Sequence, residues 1–327
     1  MSDLYSDYLL ASFSQTLATG LSNLMNGEIS HDQVTRFLFG DKKTGKDLWL
    51  IAKPIVKQIQ SEQGVLIIDD SIEEKPYTDE NDIIAWHYDH SKDRQVKGIN
   101  FISTLYQNKQ ISLPIGFELV AKTEEYVDKK TQKMKRRSPV TKNEMARRMI
   151  LQAVKNQVLF RYVLFDAWFS SVENIEFIKQ DCEKEVICPI KANRKVAVSR
   201  KDKLKGQWQA VSTLEIQTNT GLEIYLEGVG FPLTLIKQVF TNEDASDDVL
   251  YLISSDRTLS FDQITTIYQR RWNVELYHKS LKQNVSLAKS PTQTETTQTN
   301  HFFAALCGYR RSQCLKQSFP IQAVLSF

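Results

Sequence analysis

Three patterns of apolar and polar positions follow one another along the chain. Residues 1–60 carry apolar side chains at helical spacing, from Leu48 to Ile59 and in a run through Phe37 and Leu38 with Asp32 or Ser30 as its cap. At Gly64 the period changes. VLIIDD is a short apolar run closed by two aspartates and the acidic stretch SIEEKPYTDEND, which predicts a buried central strand. WHYDHSKDRQVKGINFISTLY and SLPIGFELVAK predict two further strands joined by a turn near Lys109, with a basic loop after them. TKNEMARRMILQAVKNQ predicts a helix, Thr141 being its cap and Glu144 completing a capping box. RYVLFDAWFSS reads as another buried strand with Asp166 at its end, and SVENIEFIKQ as a short helix beyond it.

From Val186 to Ser254 the chain reads as β-rich: EVICPIKANRKVAV, LEIQTNT, LEIYLEGVG, LTLIKQVF and DVLYLISS. TNTG at 218–221 and NEDASDD at 242–248 supply turn chemistry. Helical spacing returns in LSFDQITTIYQRRWNVELYHKSLKQ, started by Ser260, and in HFFAALCGYRRSQCLKQ, with a Thr-rich polar loop at 292–299 between them. Four regions follow: helical 1–60, the first part of an α/β core at 61–185, a β-strand insertion at 186–255, and the second part of the core at 256–327.

Composition narrows the classes. The 327 residues are 41% hydrophobic and 25% charged, as in an ordinary globular chain. No run approaches the ~18 apolar residues of a membrane helix. The start, MSDLYSDYLLASFSQ, has acids where a secretory signal would carry Lys or Arg, so a cytoplasmic protein is expected. Cysteines 182, 188, 307 and 314 have no zinc-site spacing and fit reduced thiols. The net charge of +3 hides a segregation. Lys122–Arg161 holds twelve basic and four acidic residues, Lys191–Lys205 seven and one, and Tyr268–Lys316 eight and two. Three such segments, KMKRR at 133–137 among them, point to a polyanion partner, nucleic acid.

Two buried strands ending in Asp and a Glu on a later helix would form a carboxylate cluster if the strands were neighbours. Such clusters hold two Mg²⁺ ions ~4 Å apart in phosphoryl-transfer sites. The candidates are Asp69 or Asp70, Asp166 and Glu275. At ~100° per residue, Tyr268, Arg271, Glu275, His278 and Lys282 share an arc of about 80° on one continuous helix. A carboxylate between a guanidinium and an ammonium suits a phosphate backbone and a metal together.

Tyr268-x2-Arg271-x3-Glu275-x6-Lys282 resembles the YREK signature of bacterial insertion-sequence DDE transposases of the IS-four type. IIDDS at 67–71 is similar to that family's first catalytic-Asp motif, with Ser71 for the usual Thr, and LFDAWFSS at 164–171 to its second. The resemblance implies Asp70 as first metal ligand with Asp69 as understudy, Asp166 as the ligand shared by both metals and Glu275 as the third. It implies DNA contacts for Tyr268, Arg271 and Lys282, and base stacking for Trp272, for which a core position is the competing reading. The implied fold is α/β: a ribonuclease-H-like mixed-sheet core with a β-rich insertion and an N-terminal helical region that binds DNA ends. The implied activity is cut-and-paste transposition. It requires two Mg²⁺ ions (Mn²⁺ as substitute), acts on terminal inverted repeats and target DNA through a hairpin, and calls for a homodimer to pair the ends.

Other constellations are weaker. His87 and His90 would face opposite ways on a strand, against a metal role. There is no P-loop, hence no ATP-driven step, and a Tyr268-nucleophile recombinase would leave the acids idle. A catalytically inactive DNA-binding repressor and a metal-dependent nuclease that cuts without joining stand as alternatives.

Overall fold

The computed structural model describes residues 1–318 apart from 13, 91, 218 and 242–246. In chain order its elements are α1 (Ser2–Ala11), α2 (Ala18–Leu24), α3 (His31–Leu38), α4 (Gly45–Ile59), β1 (Val65–Glu74), β2 (Ile84–Asp89), β3 (Arg94–Asn108) and β4 (Ile111–Leu119). There follow β5 (Glu124–Val127), β6 (Met134–Arg137), α5 (Lys142–Lys155), β7 (Tyr162–Leu164), α6 (Val172–Glu176) with a π-helical turn (Phe177–Asp181), and β8 (Glu185–Pro189). The remainder is β9 (Lys195–Ala197), α7 (Arg200–Leu204), β10 (Gln209–Ala210), β11 (Gly221–Leu226), β12 (Leu233–Thr241), β13 (Asp247–Ser254), α8 (Phe261–Gln269), α9 (Trp272–Gln283) and α10 (Glu295–Ser318). Two units divide these: one is Met1–Ile59, Asp70–Met145 and the chain from Val274 on, the other Gln60–Asp69 and Ala146–Asn273.

In the first unit the second half of β1 neighbours β3, which pairs antiparallel with β2 through Arg94–Ile99 and with β4 through Phe101–Asn108. Gly98 permits close approach to β1, for a Cβ there would lie 2.2 Å from the Glu73 carbonyl oxygen. α4 turns Leu48, Trp49, Ala52 and Val56 inward and packs on β4, and α10 packs on α1, α3, α4 and β4. Ser30, rather than Asp32, caps α3: its hydroxyl accepts from the Gln33 N–H, and the Gln33 side chain reaches back. β5 and β6 form a separate two-stranded ribbon.

In the second unit the first half of β1 runs parallel to β7, and β7 parallel to β8. Leu66, Ile67, Val163, Leu164, Val186 and Ile187 are fully buried, as strands covered on both faces must be. Beyond β8 the sheet turns antiparallel, in the order β13, β12, β11, β9, β10. Antiparallel strands, a helix, a parallel strand, a helix, a parallel strand and closing helices make a ribonuclease-H-like mixed sheet, with β9–β13 as the insertion between β8 and α8.

Several elements depart from expectation. The histidine-bearing stretch is two strands, because residues 90, 92 and 93 turn between β2 and β3, with Asp93 at φ 50. The expected basic loop contains β5 and β6, whose side chains are nearly all exposed and so show no hydrophobic alternation. The described part of LEIQTNT is not a strand, and its Thr218 lies outside the described residues, as does most of the NEDASDD turn. The Thr-rich loop is helical from Glu295. The long helix through Glu275 is broken: the N–H groups of Arg270 and Arg271 bond to the carbonyls of Ile267 and Tyr268, a tight turn that separates α8 from α9. Positions on the two sides of this turn therefore do not share one helical wheel.

Candidate active site

Strand pairing decides which acids can act together in the second unit. The last paired residues of β1 and β7 are Ile67 and Leu164; Asp69 lies two residues further along β1, and Asp166 two residues past the end of β7. Asp69 is 8% exposed, and its Oδ2 lies 3.3 Å from the Arg271 guanidinium. Asp166 Oδ1 accepts from the N–H groups of Trp168 (3.0 Å) and Phe169 (3.3 Å), which fixes the carboxylate where β7 ends. Arg271 also lies by Tyr268, its guanidinium carbon 6.0 Å from the ring centroid. Tyr268 is largely buried, its hydroxyl donates to the Phe165 carbonyl (3.4 Å), and burial raises its pKa. It anchors the end of α8 to β7 rather than lying open to solvent. Trp272, 63% exposed, is not a core residue.

In the first unit, Asp70 follows Asp69 on β1 and so points to the other face. There its Oδ2 accepts from Lys142 Nζ (2.8 Å) and Asn100 Nδ2 (3.0 Å). Lys142 begins α5 directly after its Thr141 cap, where Thr141 and Glu144 form the expected capping box. On α9, Glu275 is half-buried and Lys282 exposed. His278 is buried edge-on against Phe101, with ring centroids 5.5 Å apart. Lys282 lies near enough to the buried Glu73 to act on it electrostatically; burial raises that carboxyl's pKa, and Lys75 and Lys282 oppose the rise. The structure thus joins Asp69 with Arg271 and ties Asp70 to Lys142 and Asn100. Sequence reasoning overlooked Lys142 and Asn100; the helix start at Thr141 was the signal available for the first.

His87 is buried within β2 and His90 exposed just past its end. All four cysteines are unbonded. Among the described residues no helix is long and apolar enough to cross a membrane.

A family model described as a DDE superfamily endonuclease matches residues 15–207, and one described as a transposase DDE domain matches residues 127–310. Each spans more than half of the chain. The chain belongs to the DDE transposase family. The first match to this family takes in Asp69, Asp70 and Asp166, and the second Asp166, Tyr268, Arg271, Glu275 and Lys282. No curated protein matches the DDE chain by sequence. Among solved structures it is similar to the Drosophila P element transposase strand transfer complex, with 11% identity, a TM-score of 0.30 and coverage of 61% of this chain and 46% of that one. It thus spans about half the length of that transposase. It is also similar to the Bacillus subtilis endonuclease V, with 12% identity, a TM-score of 0.31 and coverage of 74% of this chain and 93% of that one.

Proposed function

We propose that this DDE-family chain is a cut-and-paste transposase of the IS-four type, with Asp69, Asp166 and Glu275 as its catalytic carboxylates. The observation that carries the reading is the Asp69–Arg271 ion pair (3.3 Å), which joins an acid of β1 to the spaced signature, with Asp166 just past the end of the neighbouring strand β7. Asp69 replaces the Asp70 that sequence resemblance favours, because Asp70 points away and is engaged by Lys142 and Asn100. Glu275 enters through its place in the spaced signature and the second family match.

Oxygen-only donors of this kind suit hard divalent cations. Two Mg²⁺ ions (or Mn²⁺) held by the three carboxylates would activate water or a 3′ hydroxyl and offset charge on the leaving oxygen. The chain's own part is orientation. The amides of Trp168 and Phe169 hold Asp166, and Arg271 offsets the charge of Asp69 and offers a guanidinium to a phosphate. Tyr268 positions Arg271 from beneath, and Lys282 adds an exposed cation. Exposed Trp272 is available to a flipped base. A hairpin intermediate, terminal inverted repeats as substrate, a homodimer that pairs two ends and a bacterial cytoplasmic setting with nucleoid association belong to the same proposal, as does an end-binding role for residues 1–60.

The test is a labelled duplex made from DNA flanking the gene, incubated with Mg²⁺ or Mn²⁺. The wild type nicks it at the element's end and yields a hairpin or joined product, while Asp166→Asn and Glu275→Gln bind without cutting. Cleavage by either variant refutes the carboxylate assignment. Cutting with no joined product favours the nuclease reading, and binding without cutting the repressor reading.

A further inference from the structure

One surface of the first unit has no place in that mechanism. β2 alternates: Ala85 and His87 are buried, while Trp86 and Tyr88 stand 51% and 44% exposed. Together with Tyr126 of β5 they line an open groove of about 750 Å³, beside Lys122, Lys135 and Arg136. The Trp86 ring is held in place, its Nε1 donating to Glu80 (2.8 Å) while Lys122 Nζ donates to the Trp86 carbonyl (2.5 Å). Glu80 and Glu125 also line the groove, so its cations are largely balanced there. The excess charge lies along the ribbon above it.

Residues 122–137 hold seven basic against three acidic side chains. The turn between β5 and β6 is built by Asp128, whose Oδ1 accepts from the N–H groups of Lys130 (3.0 Å) and Thr131 (2.8 Å) and whose Oδ2 accepts from Lys135 (2.6 Å). This leaves Lys129, Lys130 and Lys133 exposed on a preorganised tip, their ammonium groups without a partner among the described residues. The Arg137 guanidinium lies 5.6 Å from the Tyr126 ring centroid.

Three exposed aromatics at a sheet margin invite unwanted association unless something covers them. A protein partner fits poorly, because the centres of protein interfaces are depleted in lysine. An intact duplex keeps its base faces stacked internally. An unpaired strand offers π-faces to aromatics and phosphates to lysines, whatever its sequence.

We propose that the groove between β2 and the β5–β6 ribbon holds single-stranded DNA, with bases on Trp86, Tyr88 and Tyr126 and phosphates against the ribbon lysines. This rests on the reading of the chain as a DNA-processing enzyme, and gives it a strand-holding surface separate from its carboxylates.

The experiment uses the full chain without metal and a fluorescein-labelled oligo(dT) of about 20 nucleotides, a length above the site size of one such platform, read by anisotropy across a salt series. Trp86→Ala weakens binding about tenfold with the salt slope unchanged, and Trp86→Phe restores most of the affinity. Replacing Lys129, Lys130 and Lys133 by Gln lowers the slope by about 2. Asp166→Asn binds oligo(dT) as the wild type does. Unchanged affinity in both Trp86→Ala and Tyr126→Ala overturns the proposal, as does tighter binding of a matched duplex with the same losses. If the wild type fails to cut any flanking duplex yet shows Trp86-dependent oligo(dT) binding, the carboxylate reading falls and the groove stands.

Discussion

Asp69 and Asp70 are adjacent in sequence and separated by the thickness of a sheet, so paired substitutions test the site directly. Asp69→Asn keeps the shape of the side chain but removes the charge that faces Arg271. Loss of a metal-ligating carboxylate should slow cleavage by at least about a thousandfold, roughly 4 kcal/mol of barrier. Asp70→Asn acts elsewhere. Asp70 accepts one charge-assisted bond from Lys142 (2.8 Å) and one neutral bond from Asn100 (3.0 Å), with the Asp70 and Lys142 side chains 18% and 23% exposed. An Asn retains one acceptor oxygen, so the loss is mainly the charge assistance, about 1–3 kcal/mol of stability. Urea unfolding and Mn²⁺-dependent nicking of the flanking duplex, run on both variants, separate the two effects. The expected result is an inactive Asp69→Asn and a less stable but active Asp70→Asn. The reasoning is refuted if Asp70→Asn abolishes nicking at unchanged stability while Asp69→Asn cuts normally.

Other expectations follow from single side chains. Trp272→Ala, at an exposed position, should change unfolding free energy by less than about 0.5 kcal/mol yet weaken binding to a pre-cleaved end, measurable by gel shift. Gly98→Ala places a methyl against the Glu73 carbonyl and should cost about 1–3 kcal/mol or more in urea unfolding. His301, 1% exposed, lies between the Tyr5 hydroxyl (3.0 Å) and the Ser286 carbonyl (3.2 Å), and burial depresses its pKa to about 4. The unfolded chain binds this proton near pH 6.5, before the folded one does. The His301 contribution is therefore complete above that pH and falls as pH drops toward 4, by up to about 3 kcal/mol. Urea unfolding at stepped pH checks the loss, and His301→Gln should flatten it.

What could be read in advance was whatever local chemistry decides. The Thr141–Glu144 box, the Ser30 and Ser260 caps and the apolar runs of β1 and β7 lie where their residues place them. Period-two alternation places Asp69 and Asp70 on opposite faces, yet nothing local says what each meets there; their partners, Arg271 and Lys142, are distant in sequence. The break at Arg270–Arg271 was invisible because apolar spacing continues across it, so the common arc for Tyr268, Glu275 and His278 did not survive. The second half of β1 looked like an acidic loop, but Glu73 is buried with Lys75 nearby, a compensation that composition cannot reveal. β5 and β6 escaped notice because a ribbon exposed on both faces carries no hydrophobic signature.

The path of the chain bears on its synthesis. The unit made of Gln60–Asp69 and Ala146–Asn273 has all its residues once position 273 has left the ribosome. The other includes residues from Met1 on but lacks α10, against which α1, α3, α4 and β4 pack, until that helix has been made. The amino-terminal helices must therefore wait as an exposed, incomplete surface, and Glu275 arrives only with that closing segment. On the proposed assignment, a nascent chain truncated before that point would lack one of the three carboxylates, and so should not nick DNA. Proteolysis of stalled nascent chains should find the first sixty residues protected only after α10 has emerged.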